Sequence, residues 1–499
     1  MRQTEERKTM VMTMGAMFIV LQSFTIGHAQ GKDGFKLLKT ETLTIEDQAY
    51  LLLKGELTVA EDRTKSDSRK LTLPVQIIKA KQADAGPPIF WLDGGPGASN
   101  ILSIEKIVST TPTKLLAHHD FVCVGYRGVD GSTVLRSRKI NKAFRATRHE
   151  LLSDASLDNV EAKIKTYCAT LSNAGIDINQ YTIVDVTEDV DYAREVLGYA
   201  SINLLSSSYG TRVALLYGYR FPSRLARTVM VGACPPGYFL TRPEQAENTI
   251  AHYDSLYQLQ EDAVHKGSIK EAMRLAFSRM PKRWATFRLD ADKIKAGTMG
   301  MLYARGSAVW AFQAYFSAAQ EGDFSSLFLL QKLYEMNSKS VIGDVYAKTV
   351  SADIDYNAID LNTRKRFRSS TTLLGNNISA IYGSTAHAWS IKSIPDEYKR
   401  CRVSASEILI ISGDLDFRTP ADVTDRELMP FLKNGKHVVL KNLSHSDLLL
   451  RVMKSQDFLF QYFDFGTVDE SLVELSPDVN FAAPSKTRKA KVFVIGLLF

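Results

Sequence analysis

The stretch "NLLSSSYGTRVALLYGYRFP", residues 203–222, sets three serines between an apolar run and a segment with helical spacing. This pattern reads as a strand that turns sharply into a helix. Such a turn exposes one side chain and crowds the positions two before and two after it, which must be small. Ser208 meets the condition, with Ser206 before it and Gly210 after it. Ser207 would need Leu205 and Tyr209 in those places, and Ser206 would need Leu204, so both fit badly. Ser208 is therefore the exposed residue, and Ser206 is the small one that lets the turn close.

On either side of this stretch, strands and helices alternate. "VDVTEDVDYAREVLGYA" (184–200) has helix spacing with early acidic residues, and "RTVMVGACPPG" (227–237) is a strand. Upstream, "PPIFWLDGG" (87–95) and "FVCVGYRG" (121–128) carry short continuous apolar runs, as strands covered on both faces do. "LLLKGELTV" (51–59) and "RKLTLPVQIIKA" (69–80) are half polar and predict an antiparallel lead-in. The alternation stops near Tyr238 and resumes at "SEILIISGDLD" (406–416) and "KHVVLKNLSH" (436–445). Between them lie long amphipathic stretches, such as 244–267 and 306–322, without strand-like runs. The expected architecture is α/β: a mostly parallel, doubly wound sheet with an inserted helical cap over its carboxyl edge, where such folds place ligands. The expected boundaries are a leader at 1–29, the first part of the sheet domain at 30–238, the cap at 239–400, the second part at 401–480 and a tail at 481–499.

The 499 residues suffice for a large core, and 45% hydrophobic with 23% charged residues is ordinary globular composition. Arg2, Arg7 and Lys8 precede an uncharged stretch from Thr9 to Ile26, with Gly27 and Ala29 spaced as a cleavage site requires. This predicts an export signal cut after Ala29, hence a periplasmic or extracellular protein; the alternative is an uncleaved membrane anchor. The net charge of +7 comes from scattered lysines and arginines apart from "KTRKAK" at 486–491, which argues against a nucleic-acid partner. Cys123, Cys168, Cys234 and Cys401 lack the close spacing of a metal or redox site, and no metal or cofactor is expected. Export permits a disulfide, and Cys168 with Cys401 is the pairing to test.

A serine becomes a nucleophile only when a base takes its proton and donors hold the oxyanion. "LDGGPGASN" (92–100) follows a buried strand, and its glycines let backbone amides approach a ligand. An amide from Gly94 or Gly95, with that of Tyr209 at a helix start, would complete a two-donor hole. "EILIISGDLDFRTP" (407–420) ends a strand with two aspartates; Asp416 lies further beyond the strand end, with Thr419 and Pro420 to hold its loop, and Asp414 is the alternative acid. His445 follows the next strand and precedes a helix-like run. The chain order Ser208, Asp416, His445 is the order α/β hydrolases use.

These motifs together make the sequence similar to the α/β-hydrolase serine peptidases of the prolyl iminopeptidase and tripeptidyl aminopeptidase group. That group combines a G-G-P-G loop, a "GYRG" or "QRG" segment, a G-x-S-Y-G elbow and a G-x-x-D-x-x-T-P acid loop. Here they stand at residues 94–97, 126–128, 206–210 and 413–420, and the similarity covers most of 50–237 and 400–450. Asp93 stands where the group often has histidine, Ser206 replaces the elbow glycine, and Ser444 replaces a glycine before the base. Arg127 reads as structural, fixing its loop by hydrogen bonds to nearby carbonyls. The resemblance implies a peptide substrate cut near its N-terminus, whose ammonium needs a carboxylate; Glu244 and Glu247 at the cap's start are the candidates. The aromatics of "AVWAFQAYF" (308–316) fit a substrate pocket or core packing within the cap equally well. The alternatives are an esterase or amidase acting on a small molecule with the same triad, and a binding protein on an inert scaffold.

Overall fold

β4 (Ile89–Leu92) and β5 (Phe121–Val124) are buried at every residue, as their unbroken apolar runs require, and β6 (Ile202–Ser207) is buried throughout although Asn203, Ser206 and Ser207 are polar. The computed structural model describes residues 34–102, 113–146, 149–260, 265–337, 352–353, 371–375 and 377–482. The expected leader at 1–29 and the basic run at 486–491 lie outside the described residues.

Nine strands form one sheet, which adds β1 (Phe35–Ile45), β2 (Gln48–Ala60), β3 (Lys70–Ile78), β7 (Leu225–Val231), β10 (Ser404–Gly413) and β11 (Leu432–Leu440). Their order is β1-β2-β3-β5-β4-β6-β7-β10-β11. β1, β2, β3 and β5 pair antiparallel, and every pairing from β5 to β11 is parallel. The sequence reading lacks β1: "FKLLKTETLTI" is a mostly exposed edge strand whose alternation is broken at Leu37–Leu38, where its register with β2 shifts.

Within β4, Phe90 and Leu92 pack into one core while Ile89 and Trp91 pack into another, so the two-residue period of the strand divides the apolar residues between the two sheet faces. Helices such as Ile183–Val196 and Tyr209–Arg220 cover the first face, and His445–Lys454 and Gln456–Phe465 cover the second.

Between β7 and β10 the described residues form a helical insertion, including Pro243–Gln258, Ile269–Arg279, Ala291–Met301, Arg305–Phe316 and Ser325–Asn337. It has its own core, in which Tyr253, Phe312, Tyr315 and Phe316 pack with Leu415 and Phe417 from the loop after β10. Three of the "AVWAFQAYF" aromatics thus serve packing. The expectation of no strand here is corrected by a two-residue hairpin, β8 (Arg283–Trp284) with β9 (Phe287–Arg288). The helix within the amphipathic stretch 244–267 ends at Gln258, and the next helix starts beyond that stretch at Ile269, capped by Ser268 with Glu271. All four cysteines are free thiols, so the Cys168–Cys401 pairing is not formed. Among the described residues no helix is long and apolar enough to cross a membrane.

Candidate active site

Of the three serines, Ser206 and Ser207 are buried at the end of β6, while Ser208 is partly exposed at the junction with helix Tyr209–Arg220. Ser206 is fully buried and its hydroxyl donates to the Val229 carbonyl at 2.9 Å, so it closes the turn without an unmet donor. Ser208 adopts φ 50°, ψ −119°. A non-glycine residue there is strained by roughly 1–3 kcal/mol and persists only where its surroundings impose it. Gly210 is one such constraint: a Cβ at this position would lie 2.0 Å from the Leu92 carbonyl oxygen. The helix therefore starts against the end of β4, and the Tyr209 amide at its first position has no intrahelical acceptor.

The loop after β4 passes directly by Ser208, since a Cβ on Gly94 would sit 3.0 Å from the Ser208 Cβ. Asn100 pins this loop, its side-chain amide donating to the carbonyls of Trp91 (3.0 Å) and Val124 (2.8 Å) while its oxygen accepts from the Asp93 amide (2.8 Å). Asp130 accepts from the amides of Asn100 and Tyr126 and from the Ser99 hydroxyl. The Gly94 amide donates to Asp93 Oδ1 at 2.7 Å. Asp93, where the resembling group often has histidine, thus takes one of the two candidate oxyanion donors. Gly95 is exposed, in the left-handed region at φ 123°, and among the described residues its amide has no hydrogen bond.

Asp416 and His445 meet beside this turn. His445 Nδ1 lies 2.7 Å from Asp416 Oδ2, and Thr419 Oγ1 donates to the same oxygen at 2.5 Å. The amides of Arg418 and Thr419 donate to Asp416 Oδ1 at 2.8 and 2.9 Å, so both carboxylate oxygens are held. Burial alone would raise the Asp416 pKa, but the His445 ring, the Thr419 hydroxyl and the Thr419 amide outweigh it and keep the carboxyl below the ordinary range. Asp414 differs: burial raises its pKa, and Oδ1 is buried without a hydrogen-bond partner. The structure pairs Asp416, and not Asp414, with His445.

Val231 and Gly232 join the two halves of the site. The Ser208 amide donates to the Val231 carbonyl at 3.0 Å, and a Cβ on Gly232 would sit 3.4 Å from His445 Cε1 and 3.5 Å from Asp416 Oδ2. Among the described residues Ser208 Oγ itself has no hydrogen bond. Apo sites commonly leave this contact open until substrate binds.

The other candidates separate. Both Glu247 oxygens are engaged, one by Lys270 at 2.9 Å and one by the Leu373 amide at 3.0 Å. Glu244 is exposed and lines a cavity of about 530 Å³ with Tyr238, Arg242, Asn248, Asp422 and Arg426, between the start of the insertion and the helix after the acid loop. Arg127 is fully buried; it donates to both Asp189 oxygens (2.5 and 2.6 Å) and to the carbonyls of Ala60, Glu61 and Gln180. It fixes its loop through a carboxylate as well as through carbonyls. Sequence reasoning missed Asn100, Asp130 and Asp189, whose only local sign is a polar residue in a loop or on a helix.

A family model for the alpha/beta hydrolase fold matches residues 87–449. The chain belongs to the alpha/beta hydrolase fold family. Within this family it is similar to "Serine protease Hip1" of Mycobacterium tuberculosis (strain ATCC 25618 / H37Rv), 27% identical over 189 residues, 37% of this chain and 36% of that protein. It is also similar to "Tripeptidyl aminopeptidase" of Streptomyces coelicolor, 24% identical over 189 residues, 36% of this chain and 35% of the relative. These alignments span about a third of the curated relatives' length. Among solved alpha/beta hydrolases, 2-hydroxy-6-oxo-6-phenylhexa-2,4-dienoate hydrolase from Rhodococcus sp. strain RHA1 is 12% identical, with 85% of this chain and 99% of that chain covered and a TM-score of 0.38.

Proposed function

We propose that the protein is an exported serine hydrolase that releases residues or short peptides from the N-termini of peptides. The observation that carries this reading is the strained Ser208 at the tip of β6, flanking the same Val231–Gly232 turn as a His445 already paired with a buried Asp416. With Nδ1–H donated to Asp416, the imidazole presents Nε2 as the acceptor for the serine proton. Ser208 Oγ attacks the substrate carbonyl, His445 takes its proton and returns it to the leaving amine, and water releases the acyl group by the same route in reverse. The Tyr209 and Gly95 amides hold the oxyanion, Gly94 being engaged by Asp93. Peptide cleavage is supported by the names of the two curated relatives. Glu244, unlike Glu247, has no ion pair or hydrogen bond among the described residues and is the carboxylate assigned to a substrate ammonium, although the cavity it lines includes none of Ser208, Asp416 and His445. Export is supported by the basic, apolar and small-residue order of positions 1–29.

The test is Ser208→Ala, assayed with aminoacyl and tripeptidyl anilides, simple aryl esters and a peptide mixture read by mass spectrometry. The variant is expected to fold and to lose turnover, and the wild type to yield short N-terminal fragments. Undiminished turnover in the variant sinks the mechanism; a wild type that cleaves esters and no peptide replaces the peptidase with an esterase. Glu244→Gln is expected to raise KM for substrates with a free amine and to leave N-acylated ones unchanged.

A further inference from the structure

His445 is held from two sides, and the second side is the helical insertion. It occupies the first position of helix His445–Lys454, behind the N-cap Ser444. An N-cap serine ordinarily bonds an amide of its own first turn, but Ser444 makes no such bond. Its hydroxyl instead lies 2.5 Å from Asp447 Oδ2 and 3.0 Å from the Tyr303 carbonyl, one proton shared between two acceptors. The Ser446 amide, an orphan of that first turn, donates to the same Tyr303 carbonyl at 2.8 Å. In return, Asp447 Oδ2 accepts from the Arg305 amide at 2.8 Å. Arg305 begins helix Arg305–Phe316, whose N-cap Ala304 has no side chain to offer.

The two helices therefore cap each other. Each supplies the acceptor that the other's N-terminus lacks, and the exchange runs between residues 303–305 of the insertion and 444–447 of the base loop. The Arg305 guanidinium extends the contact to the Asn442 carbonyl at 3.2 Å. The Tyr303 ring stands edge-on to the His445 ring, centroids 5.4 Å apart and planes at 86°, and edge-on to Phe417 beside the acid at 5.2 Å.

We propose that this exchange makes Ser444, Asp447, Tyr303 and Arg305 positioning residues for His445, so that the seating of the insertion sets how well the base addresses Ser208. The proposal rests on the serine-hydrolase reading above. In this structure the Asp416–His445 pair is formed while Ser208 Oγ has no hydrogen bond among the described residues, so the serine–base contact is the one left to be adjusted. Ser444, where the resembling peptidases have glycine, supplies the hydroxyl that ties the loop across.

The experiment follows the rate at which a fluorophosphonate labels Ser208, which reports serine activation without knowledge of the natural substrate. Wild type, Asp447→Ala, Asp447→Asn and Ser444→Ala are compared well below their melting temperatures, with circular dichroism to establish folding. Asp447→Ala removes the acceptor shared by Ser444 and Arg305 and is expected to slow labelling roughly ten- to a hundredfold, the cost of an ångström-scale misplacement. Asp447→Asn keeps a carbonyl acceptor and is expected to recover most of the rate, which a role in stability alone does not predict. Should Asp447→Ala not fold, Ser444→Ala decides, with an expected loss of roughly fivefold for one hydrogen bond. Folded variants that label at the wild-type rate overturn the brace alone. A wild type that is not labelled at Ser208 overturns the serine-hydrolase reading, and the brace with it.

Discussion

Gly210→Ala tests whether the approach to β4 of the helix that follows Ser208 sets the proposed site. An added Cβ would meet the Leu92 carbonyl oxygen at 2.0 Å and the Asp93 carbonyl oxygen at 2.9 Å. The first contact is about 1.5 Å inside ordinary non-bonded separation. Neither partner can step aside alone, because β4 is hydrogen-bonded on both edges, to β5 and to β6, and the helix follows directly from β6. Relief must come from moving the helix start off the strand end, which carries Ser208 and the Tyr209 amide away from the loop of Gly94 and Gly95 by about an ångström. A shift of that size costs about a hundredfold in rate, and overpacking costs a further ~1–3 kcal/mol of stability. The control lies on the same helix: a Cβ on Gly218 would meet only the flexible Leu225 side chain at 3.3 Å and Ser406 Oγ at 3.6 Å. Gly218→Ala should be neutral or gain up to ~1 kcal/mol in helix propensity. Labelling of Ser208 and anilide hydrolysis give the rates, and thermal melts give the stability. A folded Gly210→Ala variant with wild-type kcat refutes the reasoning, because the clash would then be absorbed without moving the site.

Asp416→Asn should keep the fold and lower kcat about 10⁴-fold, because the amide no longer fixes the imidazole tautomer; hydrolysis at saturating substrate measures it. The same variant bears on pH. Asp416 titrates below its unfolded value of about 3.9, so its contribution is present above that pH and is lost as the pH falls through the lower folded value. Melting temperature between pH 5 and 2 should therefore fall less steeply in Asp416→Asn than in the wild type, and equal slopes count against the assignment. Arg127→Met strips Asp189 of its bidentate partner, leaving the ion pair with Arg63, and should destabilise by about 3 kcal/mol. Chemical denaturation gives that figure, and kcat should stay within severalfold because Arg127 bonds only structural groups.

Much of the site could be read locally because each part is a short pattern with a local cause. A small–x–Ser–x–Gly turn, a glycine run after an apolar strand and an acid before Thr-Pro report backbone geometry within a few residues. The choice between Gly94 and Gly95 could not be read this way, because it depends on where the Asp93 carboxylate swings. The choice between Glu244 and Glu247 depends on Lys270 and on the Leu373 amide, both distant in the chain.

The sequence by itself thus determined the alternating α/β class and pointed to Ser208, Asp416 and His445 as the proposed triad, because strand and helix periods and turn sterics are written in neighbouring residues. Only the tertiary structure decided which of Glu244 and Glu247 is engaged, that Asn100 and Asp130 pin the loop, and that helices Arg305–Phe316 and His445–Lys454 cap each other. Those are pairings between polar groups from separate elements, and a donor carries no mark of its acceptor until the chain has brought the two together.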